Sequence, residues 1–256
     1  MRKFGLQLFT VRDALGKDVV DTLKQVAAAG YAGVELFGPY GSMIFNQHRT
    51  LLADLNLKVI GGHILLDTLE DDARMAQTAR EYAAMGAKHL ALAWLHPDQR
   101  GGLESYRRVS ALCNQAGKIA KEHGLAFAYH NHDFEFMLVE DGRTAHQVLL
   151  GESDPDLVKV ELDAFWVQKA GLDVVQVLKR LGSRVSVLHA KDMTHDDNRT
   201  FEIVGDGQLD FDAIFAAADQ IGVDWYVVEQ DQCPQGELDS MRKSYQNIVQ
   251  RGWNAI

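Results

Sequence analysis

Residues Lys121–His132 read KEHGLAFAYHNH, which is a charged helix end, a glycine, an apolar run and then a cluster of polar residues. Glycine readily adopts the left-handed conformation that ends a helix and turns the chain into the next strand. The same arrangement recurs in AAAGYAGVEL (27–36), AAMGAKHL (83–90) and DQIGVDWYVV (219–228). The stretch therefore predicts a helix-to-strand unit that the chain repeats.

Short apolar runs alternate with longer runs of helical spacing along the whole chain. The predicted strands are Phe4–Leu8, Gly33–Leu36, Leu57–Gly61, Lys88–Ala91, Leu125–His130, Leu157–Leu162, Val185–His189 and Trp225–Glu229. The predicted helices centre on Val19–Ala29, Met43–Leu55, Leu69–Met85, Tyr106–Glu122, Ala145–Leu150, Val174–Leu178, Phe211–Gln220 and Ser240–Val249. Eight units in strict alternation predict an α/β fold, a closed parallel (β/α)8 TIM barrel that forms a single domain over residues 1–256.

A doubly wound open sheet is the alternative fold. It needs a glycine-rich phosphate-binding turn after the first strand, and the chain reads FTVRD there (9–13). The barrel is therefore the favoured architecture.

Composition and charge narrow the range of partners. The content of 46% hydrophobic and 24% charged residues is typical of a compact soluble domain. A net charge of -10 disfavours nucleic acid and anionic membranes, so a small molecule is the expected partner. The oligomeric state is left open, with a homo-oligomer as one expectation.

The cellular compartment is inferred from the cysteines and the N-terminal segment. Two distant cysteines, Cys113 and Cys233, indicate a reducing compartment, so we expect a cytoplasmic protein. Gln7, Arg12 and Asp13 interrupt the N-terminal apolar run, which predicts neither a signal peptide nor a membrane span.

Four polar residues stand at the ends of the last four predicted strands: His130, Asp163, His189 and Glu229. The active sites of such barrels lie at the carboxyl ends of the strands. Imidazole and carboxylate groups suit a divalent ion, with Mn²⁺ first and Co²⁺, Zn²⁺, Fe²⁺ or Mg²⁺ as alternatives. One such residue alone is usually a solvated loop residue. Four together make a metal site the leading hypothesis.

Five further residues are candidates for substrate binding: Glu35, His63, Trp94, Trp166 and Lys191. Glu35 ends strand two, and His63 follows strand three, where paired glycines would let a ligand approach the backbone. A structural acid and a core histidine are equally acceptable interpretations of these two. The tryptophans lie just beyond strands four and six, where they would stack on a sugar or cap the barrel. Lys191 would polarise a substrate oxygen or pair with Asp192 or another carboxylate.

Lys159 and Glu161 share the inward-facing side of strand six with Asp163. A buried Lys–Glu pair that fills the barrel interior is the preferred interpretation.

Several motifs together resemble the xylose-isomerase-like TIM barrels known as sugar phosphate isomerases or epimerases. The motifs are GYAGVEL (30–36), GLAFAYHNH (124–132), VKVELDAFWVQKAG (158–171), VLHAKD (187–192), VGDGQLDF (204–211) and YVVEQ (226–230), and the similarity covers nearly the whole chain. The resemblance implies a metal held by Glu, Asp, His and Glu from strands five to eight. The last three fall on Asp163, His189 and Glu229.

Two positions depart from the family pattern. Relatives often end strand five in ALENH, and their metal-binding Glu aligns with His130 in AYHNH. Relatives also often carry Asp-x-x-His on strand six, whereas this chain has Trp166 at the position of that histidine. Glu229 is the first candidate for a general base. The second acid or base would be His130, His132 or Glu135, and Glu135 is also a candidate to turn back toward the metal.

The leading functional prediction is a metal-dependent sugar isomerase or epimerase that removes a proton next to a carbonyl of a small sugar or keto-sugar. The alternative is a lyase or dehydratase of keto-sugars or keto-glycosides on the same barrel. A DNA-repair endonuclease is disfavoured by the acidic balance, and a non-catalytic sugar binder is the third possibility.

Overall fold

A computed structural model of the protein describes residues 1–37 and 48–255. Eight parallel strands form a closed barrel in the order β1-β8-β7-β6-β5-β4-β3-β2. They are β1 Phe4–Gln7, β2 Gly33–Phe37, β3 Lys58–Leu65, β4 His89–Trp94, β5 Ala126–His130, β6 Val158–Asp163, β7 Val185–Ala190 and β8 Trp225–Val228. The predicted closed (β/α)8 barrel is confirmed.

Helices surround the barrel in the described ranges. They are α1 Arg12–Lys17, α2 Val19–Ala29, α3 48–54, α4 Leu66–Leu69, α5 Asp72–Ala84, α6 Gly102–Glu122, α7 Ala145–Gly151, α8 Ala164–Lys169, α9 Val174–Leu181, α10 Phe211–Ile221 and α11 Glu237–Gln250. The first part of the predicted helix Met43–Leu55 lies outside the described residues. Within those residues, no helix is both long and apolar enough to cross a membrane.

Helix ends follow the sequence signals. Gly30 and Gly124, which end α2 and α6, have φ angles of 111° and 75°, as the predicted turns require. The short helices α1, α4 and α8 were not predicted. Helix α8 begins because the Asp163 carboxylate accepts a hydrogen bond from the Trp166 backbone N–H at 3.1 Å, which is an N-cap at the end of a strand.

The glycine pair in β3 serves packing, which corrects the prediction of a ligand against the backbone. A Cβ at Gly61 would lie 2.5 Å from the His89 ring, and one at Gly62 would lie 2.2 Å from the Tyr82 ring. Strand β3 also continues to Leu65, whereas the sequence predicted that it ends at Gly61. His63 lies within β3, and Trp94 is the last residue of β4.

The inside of the barrel changes from apolar to polar along its axis. Toward the N-terminal ends of the strands, four apolar residues form a separate buried cluster: Ile60, Val187, Trp225 and Val227. Ile60 reaches inward because the register of β3 against β2 shifts between Val34 and Glu35. Beyond this apolar layer, the interior residues are carboxylates and histidines.

A substitution at Gly117 tests how closely helix α6 packs on the barrel. A Cβ at this position of α6 would lie 2.5 Å from the backbone carbonyl oxygen of Leu157, which cannot move aside. Alanine at an unhindered helical site would stabilise by about 1 kcal/mol. We expect Gly117→Ala instead to lower the free energy of unfolding by about 1–3 kcal/mol, as overpacking does. Urea denaturation measures the change, with exposed Lys118→Ala as control; a more stable Gly117→Ala protein would contradict the packing.

Candidate metal centre

The structure brings together the four residues predicted as metal ligands. His130, Asp163, His189 and Glu229 are buried, and one ligand atom from each lies within 4.8 Å of the others. His189 Nδ1 is 2.8 Å from Glu229 Oε2, and His130 Nε2 is 3.7 Å from Asp163 Oδ2. The side chain of Asn131 accepts a hydrogen bond from the Asp163 backbone N–H at 3.0 Å, which ties the ends of β5 and β6 together. We call these four residues the outer group.

A second layer of carboxylates lies directly behind the two histidines of the outer group. His130 Nδ1 is 3.0 Å from Glu161 Oε1, and His189 Nε2 is 2.8 Å from Glu35 Oε2. Each histidine thus presents one ring nitrogen to a buried carboxylate and the other to the outer group. A carboxylate behind a ligating histidine fixes its tautomer and ring orientation. We call Glu35 and Glu161 the inner carboxylates.

Two more histidines complete this second layer. His89 Nε2 lies 2.6 Å from Glu35 Oε1 and 3.0 Å from Glu161 Oε2, while His63 Nε2 lies 2.6 Å from Glu161 Oε1. The contact of His63 Nε2 with Glu161 fits the alternative of a satisfied core histidine, and the binding of substrate by His63 stays a prediction. His89 and Glu161 were not predicted as site residues, although the two-residue spacing of Glu161 from Asp163 was a usable signal.

The predicted pairing of Lys159 with Glu161 is wrong. The Lys159 ammonium donates to the carbonyl oxygen of Pro155 at 2.8 Å, near the start of β6. The long side chain reaches back to solvent, where an ammonium keeps its hydration. Glu161 is therefore compensated by imidazoles and not by an ammonium group.

The histidines of the second layer compensate the buried inner carboxylates. Burial by itself lowers the pKa of His63, His89 and His189, but the inner carboxylates outweigh burial and raise all three, His89 to about 9. Burial raises the pKa of Glu161, and the surrounding histidines reverse this and hold it well below its ordinary range. Two buried carboxylates thus remain ionised because imidazole N–H groups surround them.

Lys191 is bound to carboxylates. Its Nζ lies 2.8 Å from Asp231 Oδ1, 2.9 Å from Glu229 Oε2 and 3.1 Å from Asp163 Oδ2. Asp192, the predicted alternative partner, instead accepts hydrogen bonds from the backbone N–H groups of loop 205–209. Despite burial, these carboxylates raise the pKa of Lys191 well above its ordinary value. The ammonium stays charged beside the outer group.

Glu135 does not join the outer group. Its carboxylate accepts a hydrogen bond from the Tyr129 hydroxyl at 2.8 Å and one from the His132 backbone N–H at 2.7 Å. Burial raises the pKa of Glu135 to about 8 against these hydrogen bonds. The side chain therefore holds the loop after β5 in shape and does not turn back toward a metal.

His132 lies inside an aromatic wall beside the outer group. Its ring centroid is 4.8 Å from Trp94, 5.0 Å from Trp166 and 5.2 Å from His130. Burial, followed by the nearby charges of His130 and Lys191, lowers the pKa of His132 well below its ordinary value. His132 Nδ1 and Trp166 Nε1 are buried and have no hydrogen-bond partner among the described residues.

The donor set of the outer group fits a divalent cation. Two imidazoles and two carboxylates are ligands that Mn²⁺, Co²⁺, Zn²⁺ and Fe²⁺ accept. Asp163 Oδ2 is buried without a well-oriented hydrogen bond, although Lys191 is near it. A buried carboxylate oxygen left in this state has unused capacity to bind a cation. That the outer group holds a metal stays a prediction.

Glu161→Gln tests the second layer. The substitution removes the charge behind His130 and His89, so the imidazoles lose the partner that orients them and raises their basicity. We expect affinity for Mn²⁺ or Zn²⁺, measured by isothermal titration calorimetry with the metal alone, to fall about 10- to 100-fold. Exposed Glu122→Gln is the matched control, and circular dichroism reports whether the variant is folded. Unchanged affinity in a folded variant would contradict the role of Glu161.

Comparisons with known proteins agree with this architecture. The family model described as xylose isomerase-like TIM barrel matches residues 23–246. An inosose dehydratase of Lacticaseibacillus casei is 24% identical over 262 residues, which is 86% of this chain and 85% of the relative. A crystal structure of a sugar phosphate isomerase/epimerase from Parabacteroides distasonis is 25% identical, with a TM-score of 0.84, over 96% of this chain and 93% of that one.

A more distant structure, the IOLI protein with a bound zinc atom, is 15% identical, covers 99% of both chains and has a TM-score of 0.75. At that identity the likeness concerns the fold. Because the family match spans most of the chain, the protein belongs to the family of xylose isomerase-like TIM barrels.

Proposed function

We propose that the protein is a divalent-metal-dependent dehydratase, a lyase that removes water from a small cyclic keto-sugar or keto-polyol of the inosose class. The outer group beside a neutral histidine with a free ring nitrogen carries the proposal. The similarity to inosose dehydratases over most of the chain supports elimination, which was predicted from the sequence only as the alternative to isomerisation.

Dehydration of a hydroxy ketone takes a proton from the carbon next to the carbonyl and the hydroxyl from the following carbon. A C–H and a C–O bond break, a C=C bond forms, and the proton leaves with the hydroxyl as water. No oxidant or reductant is needed. A divalent ion held by the outer group would polarise the carbonyl oxygen, with Mn²⁺ first among the candidates and Zn²⁺ supported by the IOLI structure.

His132 is the better candidate for the group that carries the proton. A neutral imidazole with a free nitrogen accepts the proton from carbon, becomes imidazolium and returns the proton to the departing hydroxyl. One side chain can thus complete the transfer and recover its starting state. The low pKa of His132 makes this neutral form the resting one.

Glu229, predicted from the sequence as the general base, is already engaged by neighbouring groups. Burial raises its pKa, but Lys191 and His189 outweigh burial and hold the pKa well below its ordinary range. Its Oε2 lies 2.8 Å from His189 Nδ1 and 2.9 Å from Lys191 Nζ, whereas His132 Nδ1 has no hydrogen-bond partner among the described residues. We therefore propose that Glu229 is a metal ligand. Replacement of His132 tests whether Glu229 also acts as the base.

The aromatic wall gives the substrate a place to lie. Trp94 and Trp166 flank His132, and an apolar sugar face packs well on indole rings. The unpartnered Nε1–H of Trp166 can donate to a substrate hydroxyl, since a buried donor without a partner is otherwise costly. Both tryptophans thus keep their predicted role in substrate binding. Lys191 acts on the site indirectly, because its ammonium group neutralises part of the negative charge of Asp163, Glu229 and Asp231.

Isomerisation or epimerisation is the second candidate. It begins with removal of the same proton but returns the proton to carbon and keeps the hydroxyl. The Parabacteroides distasonis structure, described as a sugar phosphate isomerase/epimerase, supports it.

The two functions differ in what happens to the substrate oxygen. We expect the Mn²⁺-loaded protein to convert inosose in D₂O to a dehydrated product with loss of water, followed by proton NMR and ultraviolet absorbance. EDTA-treated protein and Asp163→Asn are the controls, because both deprive the outer group of its ion. Deuterium uptake into a substrate that keeps all its hydroxyls would favour the epimerase and contradict the dehydratase.

Replacement of His132 separates the proton carrier from the metal ligands. We expect His132→Gln to lower kcat about 10²- to 10⁴-fold, the usual contribution of a positioned acid or base. Metal affinity should stay near that of the unmodified protein, whereas Glu229→Gln should lose affinity. Exposed His195→Gln is the matched control. If His132→Gln still dehydrates inosose at the normal rate, His132 is not the proton carrier and Glu229 is the base.

A further inference from the structure

A cavity lies at the N-terminal end of the barrel, where the strands begin. Its volume is about 580 Å³, within the range typical of small-molecule sites. The floor is formed by apolar residues from β3 and β8, among them Val59, Ile60 and Trp225, which are almost fully buried. The bottom of such a barrel ordinarily serves stability, so a cavity of this size there needs an explanation.

The rim of this cavity is positively charged. Lys3, Arg49, Lys58 and Lys88 line it, and Asp224 is the one acid among its described lining residues. A net charge of +3 thus collects at one cavity in a chain whose net charge is -10. Such a local excess of cations attracts anions against the field of the whole protein.

Among the described residues, the rim cations form no ion pairs. Elsewhere on the surface, exposed arginines pair with neighbouring acids, as Arg107 does with Glu104 and Arg242 with Asp239. Within the described ranges, no carboxylate lies within ion-pair distance of Lys58, Lys88 or Arg49. Lys58 begins β3 and Lys88 immediately precedes the adjacent strand β4, where its backbone N–H donates to the Ile60 carbonyl oxygen at 3.0 Å, two residues after Lys58. Both lysines therefore line the cavity from the starts of adjacent strands.

We propose that this cavity binds a small organic anion, whose apolar ring lies on the floor and whose phosphate or carboxylate group lies against Lys58 and Lys88. The apolar cluster of Ile60, Val187, Trp225 and Val227 separates it from the outer group. The site is thus distinct from the catalytic one and does not depend on the proposed function.

Phenyl phosphate, which joins an aromatic ring to a phosphate group, is the probe for the test. We expect saturable binding to the full chain by calorimetry at low ionic strength, and affinity about tenfold weaker, or about 1.4 kcal/mol, in Lys58→Ala/Lys88→Ala. Exposed Lys121→Ala/Lys179→Ala changes the net charge equally and should leave affinity within about twofold of the original.

Three outcomes would overturn the proposal. One is no saturable binding of phenyl phosphate to the unmodified protein, and another is equal loss of affinity in both double variants, which would indicate general electrostatics. The third is equal affinity for inorganic phosphate and phenyl phosphate, because the apolar floor would then contribute nothing. All the substituted lysines are exposed, so the variants are expected to fold.

Discussion

The interior of this barrel depends on one constraint: two fully buried carboxylates, Glu35 and Glu161, must remain ionised. A buried charge without a partner costs several kcal/mol, so each needs close cations or hydrogen-bond donors. His63, His89 and His189 contact them through their ring Nε2 atoms. Two other features follow from this arrangement. Position 61 must be glycine because the His89 ring occupies the space of a side chain there, and the Gln7 side chain donates a hydrogen bond to Glu35 at 3.0 Å. The orientation of the outer-group histidines is set by the same pairs.

The inner carboxylates explain why a histidine, His130, can stand at the end of β5. Where relatives carry a metal-binding glutamate, His130 offers a neutral ligand, and the negative charge lies one layer deeper on Glu161, 3.0 Å behind it. An ion at the outer group would then have one fewer anionic ligand and keep more of its charge for a substrate oxygen. Lys191 adds to this effect because it neutralises part of Asp163 and Glu229. Both features favour stabilisation of a negatively charged oxygen, on which elimination and isomerisation both depend.

The sequence predicted the barrel and the outer group because both follow from short-range rules. Glycine turns mark helix ends, and residues at successive strand ends meet at one rim, so Asp163, His189 and Glu229 could be placed without coordinates. The second layer could not, since it depends on side-chain direction across the barrel and on the irregular register of β3. Spacing alone paired Lys159 with Glu161, but depth along the strand decides otherwise: Lys159 is near enough to the rim to reach solvent, and Glu161 is not. Likewise, the glycine pair of β3 indicates that another group packs closely against the backbone, but it does not indicate that this group is a side-chain ring.

The change from apolar to polar layers along the barrel axis separates stability from function. Val187, Val227 and Trp225 close one end with apolar contacts that need no partners, whereas every polar residue at the other end depends on its neighbours to remain buried. Loss of one partner at the polar end leaves an uncompensated charge, so that end is the costlier to alter. The apolar cluster also lies between the rim of the N-terminal cavity and the inner carboxylates, since Ile60 and Trp225 belong both to the cluster and to the cavity lining. Because this layer separates the two ends, the charge of the N-terminal rim can change without a change in the contacts of the inner carboxylates.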